Sequence, residues 1–473
     1  MAFSETGAHF TTGNLFRHVS VMSLTSSIGL MAIFAVDLLD IVFISMLGRD
    51  ELAAAAGYAS VIMFFASAIN IGLSIAAGAL VSRALGESNH VDAREFASSS
   101  AVIAVGVGLV LPLLALPNMA FLLGLTGADG PVAEMAAGYL WIILPTTFLS
   151  GLSMVTVAVL RAYGDARGAM YPALLGAGVN AVLDPILIFT LGLELQGAAM
   201  ATVLARLATV ALAMGLAIHR YRAFARPRPQ CVARDFRETA MIALPAVMGT
   251  VATPVGTAIV TREMAKYGSD AVAALAVINR LIPVVFSVVL ALSGAIGPIF
   301  GQNFGAGRMD RVQETFEDGL KFLALYVVVM SGILFVLRDP LADLFEATGM
   351  MRSLLYLYLG PLALASFFNG AIFVSNASFN NLGHPAYSTG VNWARHTIGT
   401  WPFAIAFGAV WGAHGVLIGQ AVGGAIFAGL AVWLGLRVIA APCRDPLKLH
   451  YKCPDQRMQV VTNRCELTAK CNF

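Results

Sequence analysis

The chain carries very little charge for its length. Asp, Glu, Lys and Arg make up 12% of its 473 residues, and hydrophobic residues make up 58%. An ordinary soluble domain has about 25% charged residues, and the mean hydropathy here is +0.79. Apolar stretches of about 20 residues, long enough to cross a bilayer, follow one another along nearly the whole sequence. The scarcity of charge excludes a soluble globular fold and predicts an all-α membrane protein.

Cysteine is scarce outside the C-terminal tail. Cys231 lies in the central loop, and the other four cysteines fall in 439–473: Cys443, Cys453, Cys465 and Cys471. Their spacing lacks the C-x2–4-C pairs that zinc sites prefer. We expect reduced thiols on the cytoplasmic side of the membrane and regard 439–473 as a polar, dispensable tail.

Two further absences exclude classes of function. The sequence has no G-x4-G-K-[ST] loop, so we expect no ATP hydrolysis by this chain. It also has no cluster of His, Asp and Ser near a predicted membrane interface, which argues against a membrane enzyme acting on lipids. We therefore expect neither an enzyme nor a bound cofactor.

Charged, glycine and proline residues divide the apolar sequence into about twelve predicted spans. Their approximate ranges are 18–47, 52–83, 95–119, 132–161, 169–192, 196–218, 239–266, 271–302, 316–337, 353–380, 387–411 and 413–437. The block at 271–302 is wide enough to break into two pieces. The predicted domains are an N-terminal segment (1–16), a six-helix lobe (17–218), a basic linker (219–237), a second six-helix lobe (238–438) and the tail (439–473).

Arginine is distributed unevenly among the predicted loops. The linker contains Arg220, Arg222, Arg226, Arg228, Arg234 and Arg237. The other loops predicted on the same side of the membrane as the linker contain Arg83, Arg94, Arg161, Arg167, Arg308 and Arg311. By the positive-inside rule these loops are cytoplasmic, which places both termini inside. We interpret the linker as a topology determinant that touches anionic headgroups, with nucleic-acid binding as the weaker alternative.

The two halves of the sequence resemble each other. LGRDELAAAAGYASVI (47–62) matches YGSDAVAALAVINRL (267–281), and VSRALGESNHVDAREF (81–96) matches FGQNFGAGRMDRVQETF (300–316). Two further matches occur at nearly the same shift, which makes coincidence improbable. An even number of spans per half predicts parallel repeats related by a pseudo-two-fold axis along the membrane normal. Transporters that work by alternating access use such duplication.

Three motifs resemble the MATE (multidrug and toxic compound extrusion) family. They are VLRAYGDARGAMYP after the fourth span, VNAVLDPILIF in the fifth and GQNFGAGRMDRVQET after the eighth. Acids in the first and fifth spans, with none in the tenth, resemble the DinF-like branch. The resemblance implies two helical bundles in the bacterial cytoplasmic membrane. It also implies efflux of cationic or amphipathic compounds driven by inward flow of H+ or Na+.

Acidic residues inside predicted spans are candidates for the coupling site. Asp37 and Asp40 are three residues apart, and Asn180 and Asp184 are four apart, so each pair shares a helix face. A carboxylate at a helix centre costs about 2.5–3.5 kcal/mol on insertion scales, and such residues are functional by default. Burial and a neighbouring carboxylate both favour the protonated form, so the set would titrate as one coupled unit or bind Na+.

The resemblance assigns a cation site to four residues: Asp40, Asn180, Asp184 and Thr202. It also implies that Tyr139 hydrogen-bonds this network, whereas Asp37 falls where relatives usually have an uncharged residue, and its role stays open. Each assignment has an alternative. The acids could statically lock two helices together, Thr202 could bond within its own helix, and Tyr139 could anchor the chain at the interface.

Adaptable methionine and aromatic surfaces suit a cavity that binds varied ligands. The candidates for such a cavity are Met31, Phe34, Phe64, Phe65, Met154 and Phe286, and lipid-facing or packing positions are the alternative for each.

The second half has polar residues of its own. Arg395 or His396 could be a gate or a proton partner, because histidine titrates near neutrality. The alternative, which we prefer, is a snorkelling or interfacial pair near the cytoplasmic end. We expect Arg262 and Glu263 to be solvated charges at the outer rim.

Our preferred function is a monomeric, ion-coupled antiporter for small cationic or amphipathic molecules. The alternative is a flippase for lipid-linked precursors, which would favour a strongly basic central cavity. Few Arg or Lys residues lie within the predicted spans, and this disfavours the flippase.

Overall fold

The computed structural model describes residues 8–441, and within this range the chain is helical, with no β-strand. The first half contains α1 (Leu15–Met46), α2 (Asp50–Gly86), α3 (His90–Ala115), α4 (Met119–Thr126), α5 (Gly130–Ile143), α6 (Thr147–Ala162), α7 (Ala166–Pro185) and α8 (Glu194–Tyr221). The second half contains α9 (Pro229–Ala265), α10 (Ser269–Val285), α11 (Ser287–Gly305), α12 (Met309–Val336), α13 (Arg338–Leu344), α14 (Gly349–Leu359), α15 (Ser366–Asn381), α16 (Pro385–His396) and α17 (Trp401–Ala440).

Eleven helical ranges of the described chain are long and apolar enough to cross a bilayer. One of them, Pro385–Ala440, has 56 residues, and its backbone leaves the helical region at Trp411 and Gly412. At about 1.5 Å per residue this range exceeds twice the roughly 30 Å hydrocarbon core, so it accommodates two crossings. The protein is therefore a multi-pass membrane protein, and residues 8–441 accommodate twelve crossings, as predicted. The wide eighth block does divide, at Phe286 between α10 and α11.

The helices of the two halves begin at equivalent positions. Helices start at 50, 90, 130 and 166 in the first half and at 269, 309, 349 and 385 in the second, a constant shift of 219 residues. The 3₁₀ breaks at Leu144–Thr146 and Pro361–Ala365 occupy corresponding places as well. The predicted fold of two related helical bundles is confirmed.

Helices α1 and α9 each contact both lobes. α1 packs against α7 of its own lobe and against α11 and α12 of the other, while α9 packs against α2 and α3 as well as α16 and α17. A change in the packing of α1 against α7 can therefore alter its contact with the second lobe.

The end of the molecule that carries residue 8 and the connection 222–228 is called the inner end below. Three helices that start there have an N-cap side chain that accepts a backbone N–H, as such positions favour. Asn14 accepts from Arg17 N at 2.8 Å, Asn89 from Asp92 N at 3.1 Å, and Asp165 from Gly168 N at 2.8 Å.

The predicted linker 219–237 is mostly helical. α8 extends to Tyr221 and α9 begins at Pro229, so only 222–228 lies outside the helices. Ser98 holds this connection through two hydrogen bonds with the backbone of Ala225, both 2.8 Å long. Arg234 pairs with the buried Asp235 at 2.7 Å instead of facing outward alone. The tail cysteines from Cys443 onward lie outside the described residues.

Residues 8–14, the described part of the chain before α1, are anchored between the lobes at the inner end. Phe10 is 1% exposed and lies in the core of the second lobe. Its N–H donates to Gln302 Oε1 at 2.7 Å, and Arg311 Nη2 donates to its carbonyl at 3.0 Å. Gln302 Nε2 in turn donates to Ala162 O of the first lobe at 2.7 Å. The segment thus contributes to the contact that joins the two lobes.

We predict that Phe10→Ala destabilises this contact. Truncating a buried phenylalanine costs about 3–5 kcal/mol, so the melting temperature of the purified protein should fall. Thr12→Ala, at an exposed position of the same segment, is the matched control. Equal melting temperatures for both variants and the parent would show that Phe10 does not contribute to stability.

Candidate functional site

Two acids and one amide meet inside the first lobe. Asp184, at the end of α7, is 0% exposed, and Asn180, one turn earlier, is 5% exposed. The carboxyl group of Asp40 on α1 lies within hydrogen-bonding reach of Asp184. With its amide nitrogen turned toward the acids, Asn180 donates to Asp40 Oδ1 at 3.2 Å and to Asp184 Oδ2 at 2.8 Å. The fold therefore brings together three of the predicted site residues.

The helix changes its geometry directly after Asp184. Pro185 ends α7, and Ile186–Thr190 forms a turn of π-helix. Proline cannot donate a backbone hydrogen bond, and π turns inside helices are frequent at functional sites. Asp184 Oδ1 is buried without a hydrogen-bond partner among the described residues. An unsatisfied buried carboxyl oxygen is costly, and a proton or a cation at this position would satisfy it.

The chemistry of this set suits exchange of a small cation. Two carboxyl groups at hydrogen-bonding distance disfavour double ionisation, so the pair is suited to a shared proton or a bound cation. The Asn180 amide can serve either state, because its nitrogen donates to the carboxyl oxygens and its oxygen can face Na+. The described residues contain no group of three His, Cys, Asp or Glu side chains placed to hold a metal ion.

The other predicted coupling residues surround this set less tightly. Tyr139 is half-buried on α5 and lies within electrostatic range of Asp40 and Asp184. Asp37 is exposed on α1, and its carboxyl group lies close enough to Asp40 for their charges to interact. The Thr202 hydroxyl donates to Ala198 O of its own helix at 3.0 Å, which is the back-bonding alternative. Its oxygen keeps lone pairs that could still accept or coordinate.

Arg206 is a neighbour of the site that the sequence analysis missed. It lies on α8 and donates to Ile143 O at 3.1 Å and to Thr146 Oγ1 at 2.8 Å. These acceptors belong to the break between α5 and α6, and Arg206 also lies within electrostatic range of Tyr139. A single arginine inside the apolar block 196–218 was the available signal.

The predicted substrate-contact residues fall into two groups. Met31 and Phe65 are exposed, and Phe34, Phe64 and Met154 are half-buried. Phe286 instead is 3% exposed and packs in the core of the second lobe, at the break between α10 and α11. The assignment of Phe286 to a substrate surface therefore needs correction for this conformation.

Two expectations about the second lobe were wrong. Arg395 and His396 end α16, about 16 Å along the helix from its inner start at 1.5 Å per residue, so they do not form an interfacial pair. Arg395 donates to Asn369 Oδ1 inside the lobe. Glu263 is 6% exposed and pairs with Lys266 at 2.5 Å, so it is not a solvated charge. Arg262 is exposed, as expected.

A small cavity of about 60 Å³ lies between the two lobes. Its walls include six pairs of residues 219 positions apart: Ser74 and Ser293, Ile75 and Gly294, Gly78 and Gly297, Ala79 and Pro298, Ala158 and Ala377, Arg161 and Asn380. Because each pair joins equivalent positions of the two repeats, the cavity surrounds the pseudo-two-fold axis. The sequence analysis places Arg161 in a cytoplasmic loop. In the structure it lies in the last turn of α6 and lines this cavity.

The lobes touch closely on the inner side of the cavity. A Cβ atom added at Gly86 would lie 2.1 Å from the carbonyl oxygen of Gln302, and one added at Gly305 would lie 2.1 Å from that of Arg83. Gly86 and Gly305 are equivalent positions at the ends of α2 and α11. The crossing of these two helices closes the interlobe space toward the inner end.

Comparisons with known proteins agree with this architecture. The MatE family model matches residues 26–186 and 245–406, once in each half. The FAD transporter of Shewanella oneidensis is 29% identical over 403 residues, which cover 84% of this chain and 89% of the relative. The multidrug export protein MepA of Staphylococcus haemolyticus is 23% identical over 433 residues, covering 90% and 94% of the two chains.

The fold has a close counterpart among solved structures. An outward-facing conformation of a multidrug resistance MATE family transporter of the MOP superfamily superposes with a TM-score of 0.86. The match covers 92% of this chain and 98% of the other at 22% identity. At this identity the likeness concerns the fold.

Proposed function

Because this chain belongs to the MatE family of membrane transporters, we propose that it is a secondary active antiporter that exports small amphipathic compounds in exchange for H+ or Na+. The observation that carries the proposal is the set formed by Asp40, Asn180 and Asp184. It places two acids and an amide around a buried carboxyl oxygen that has no partner of its own. The other residues predicted for coupling, Tyr139, Asp37 and Thr202, would assist this set.

Ion binding at this set can influence the whole molecule through α1. Protonation or Na+ binding removes the repulsion between Asp40 on α1 and Asp184 on α7. The first half of α1, which includes Leu15, Val19 and Met22, packs against α11 and α12 of the second lobe. A ligand shifts an equilibrium by its difference in affinity for the two states. An ion that binds the α1–α7 pair more tightly in one arrangement of the lobes would therefore favour that arrangement.

The exported compounds are proposed to be small amphipaths, as the multidrug export relative suggests. The exposed side chains of Met31 and Phe65 offer adaptable apolar contacts for such molecules. Cationic drugs are one class. A second candidate is a flavin dinucleotide, and the FAD transporter of Shewanella oneidensis, 29% identical over 403 residues, favours it. A lipid-linked precursor is the further alternative, distinguished by the experiment below.

The arginine pattern supports an orientation. We place the chain in the bacterial cytoplasmic membrane as a monomer, with both ends and the connection 222–228 on the cytoplasmic side. The inner end defined above would then be cytoplasmic, and the conformation described would be closed toward the cytoplasm.

The proposed function is tested with the full chain in proteoliposomes. We expect ethidium transport when a pH gradient or a sodium gradient is imposed separately, and no transport when neither is present. Identification of the effective gradient also identifies the coupling ion. If neither gradient drives export of ethidium or FAD, the antiporter proposal is wrong. Scrambling of fluorescent lipids in the same vesicles would then favour the flippase.

A further inference from the structure

We propose that the interlobe cavity binds an anionic group of the exported molecule, a phosphate or a carboxylate, through the guanidinium of Arg161. This inference rests on the proposed transport function and adds organic anions with an apolar body to its substrates. The site is separate from the acid set, which lies within the first lobe.

Arg161 has no hydrogen-bond or ion-pair partner among residues 8–441. Its Nε atom is buried without a hydrogen-bond acceptor, and the guanidinium forms no ion pair with any residue in the described part of the chain. No Asp or Glu lies among the residues that line the cavity. Arg161 is half-buried, so its unpaired charge carries part of the desolvation penalty of a buried ion. An anion in the cavity would remove that penalty.

Other arginines at the inner end differ from Arg161 in this respect. Arg83 pairs with Glu87 at 3.3 Å, and Arg220 pairs with Asp165 at 3.0 Å. Arg311 donates to the Asn303 side chain and to the carbonyl groups of Phe10 and Gly13. Position at the inner end therefore does not by itself leave an arginine unpaired.

The opposite lobe leaves room for this guanidinium and adds a donor. A Cβ atom added at Gly294 of α11 would lie 2.9 Å from Arg161 Nη1, so a larger residue there would displace the end of this side chain. Asn380 also lines the cavity, and its oxygen accepts from Ser388 at 3.3 Å. None of the hydrogen bonds among the described residues uses its amide nitrogen. Arg161 and Asn380 thus offer N–H groups from both lobes to one ligand.

Comparison of equivalent positions in the two lobes shows that the cavity carries a positive charge from one lobe. Three of the six pairs are identical in the two lobes (Ser, Gly and Ala), and of the three that differ only Arg161 and Asn380 include a charged residue. Gly294 lies beside the large Arg161 side chain, and its equivalent in the first lobe is Ile75. Packing therefore accommodates a single positive charge beside the axis.

A cationic ligand does not fit this position. The guanidinium repels a like charge placed beside it, and no carboxylate of the cavity offsets the guanidinium. The cavity therefore selects against a cation and in favour of an anion at this point.

The test compares riboflavin with flavin mononucleotide, which share a ring system and differ by one phosphate. Binding to the purified full-length protein is followed by flavin fluorescence, without any ion gradient. We expect the phosphorylated flavin to bind about tenfold or more tightly, the scale of one hydrogen bond to a charged group. Arg161→Gln should abolish that preference and leave riboflavin binding unchanged. Arg167→Gln, at an exposed arginine nearby, should retain it.

A relocated charge provides the rescue. We expect the variant Arg161→Asn, Asn380→Arg, Ile75→Gly to regain the preference, because positions 161 and 380 are equivalent about the axis and Ile75→Gly makes room. Loss of folding is checked by the melting temperature of each variant. The whole series is performed in phosphatidylcholine, and then with phosphatidylglycerol added. Competition from the anionic lipid would identify a headgroup as the source of the anion.

Equal binding of the two flavins by the parent protein would overturn the proposal, as would an equal loss of both in Arg161→Gln. These outcomes are independent of the transport test. Gradient-driven ethidium export without phosphate preference would contradict only this inference. Phosphate preference without any gradient-driven export would contradict only the antiporter.

Discussion

Asp40→Asn and Asp184→Asn are each expected to reduce gradient-driven export to the background of protein-free vesicles. Asparagine has nearly the same shape as aspartate, but it cannot release a proton or offer a carboxylate to Na+. The buried Asp184 oxygen that lacks a partner would be replaced by a neutral amide group. Export is measured in proteoliposomes under whichever gradient drives the parent protein.

Two aspartates on the same scaffold provide controls. Asp270→Asn lies at an exposed position at the start of α10 and should export at the parental rate. Asp37→Asn makes the same change one turn before Asp40, at an exposed position, and a partial loss is expected. Full export by both Asp40→Asn and Asp184→Asn, with normal insertion, would contradict a coupling role for this set.

Gly86→Ala and Gly305→Ala are expected to weaken closure of the inner end and to reduce export strongly. In each variant the new methyl group would lie 2.1 Å from a backbone carbonyl oxygen of the other lobe, which a rotamer change cannot relieve. Overpacking of this kind costs about 1–3 kcal/mol. At 1.4 kcal/mol per factor of ten, the closed state would lose roughly 5- to 150-fold in relative population.

Closure is measured by the reactivity of a single cysteine, Ser293→Cys, toward a membrane-impermeant maleimide applied from the inner side. The background lacks the native cysteines. We expect faster labelling in both glycine variants than in the parent. Gly57→Ala is the matched control, because it lies on α2 and a Cβ there would meet nothing within 4 Å. If Gly86→Ala and Gly305→Ala label and export like Gly57→Ala, the crossing is not the closure.

The sequence was sufficient to predict the twelve crossings and the duplicated lobes. Hydropathy alone locates spans, and the matches between 47–62 and 267–281 relate the halves at nearly the shift that the helices display. The sequence did not predict that the two lobes differ at Phe286. The helix breaks there in the second lobe, whereas α2 continues without interruption at the equivalent depth of the first. Such a difference depends on packing that composition does not record.

The candidate site was predictable where it depends on helix spacing. Asn180 and Asp184 share a face because they are four residues apart, and the fold brings Asp40 to them from α1. The pairing of Glu263 with Lys266 was also within reach, since residues three apart on a helix are neighbours. The expectation of a solvated Glu263 overlooked this spacing.

The role of Arg161 was beyond the sequence argument. Its position beside a predicted loop made a topology determinant the simplest interpretation. Its actual surroundings depend on Gly294, which lies on α11 of the other lobe. Only the assembled repeat places these two residues on opposite walls of one cavity. Phe286 illustrates the reverse case, since its aromatic character suggested a cavity and its helix break placed it in the core.

The most direct test of the central claim is simultaneous measurement of substrate export and ion entry in the same proteoliposomes. We predict that H+ or Na+ moves opposite to the substrate in the parent protein, and that the double variant Asp40→Asn, Asp184→Asn shows neither flux. Substrate export that continues at the parental rate in the double variant, or that proceeds in the parent without any opposing H+ or Na+ flux, would contradict it.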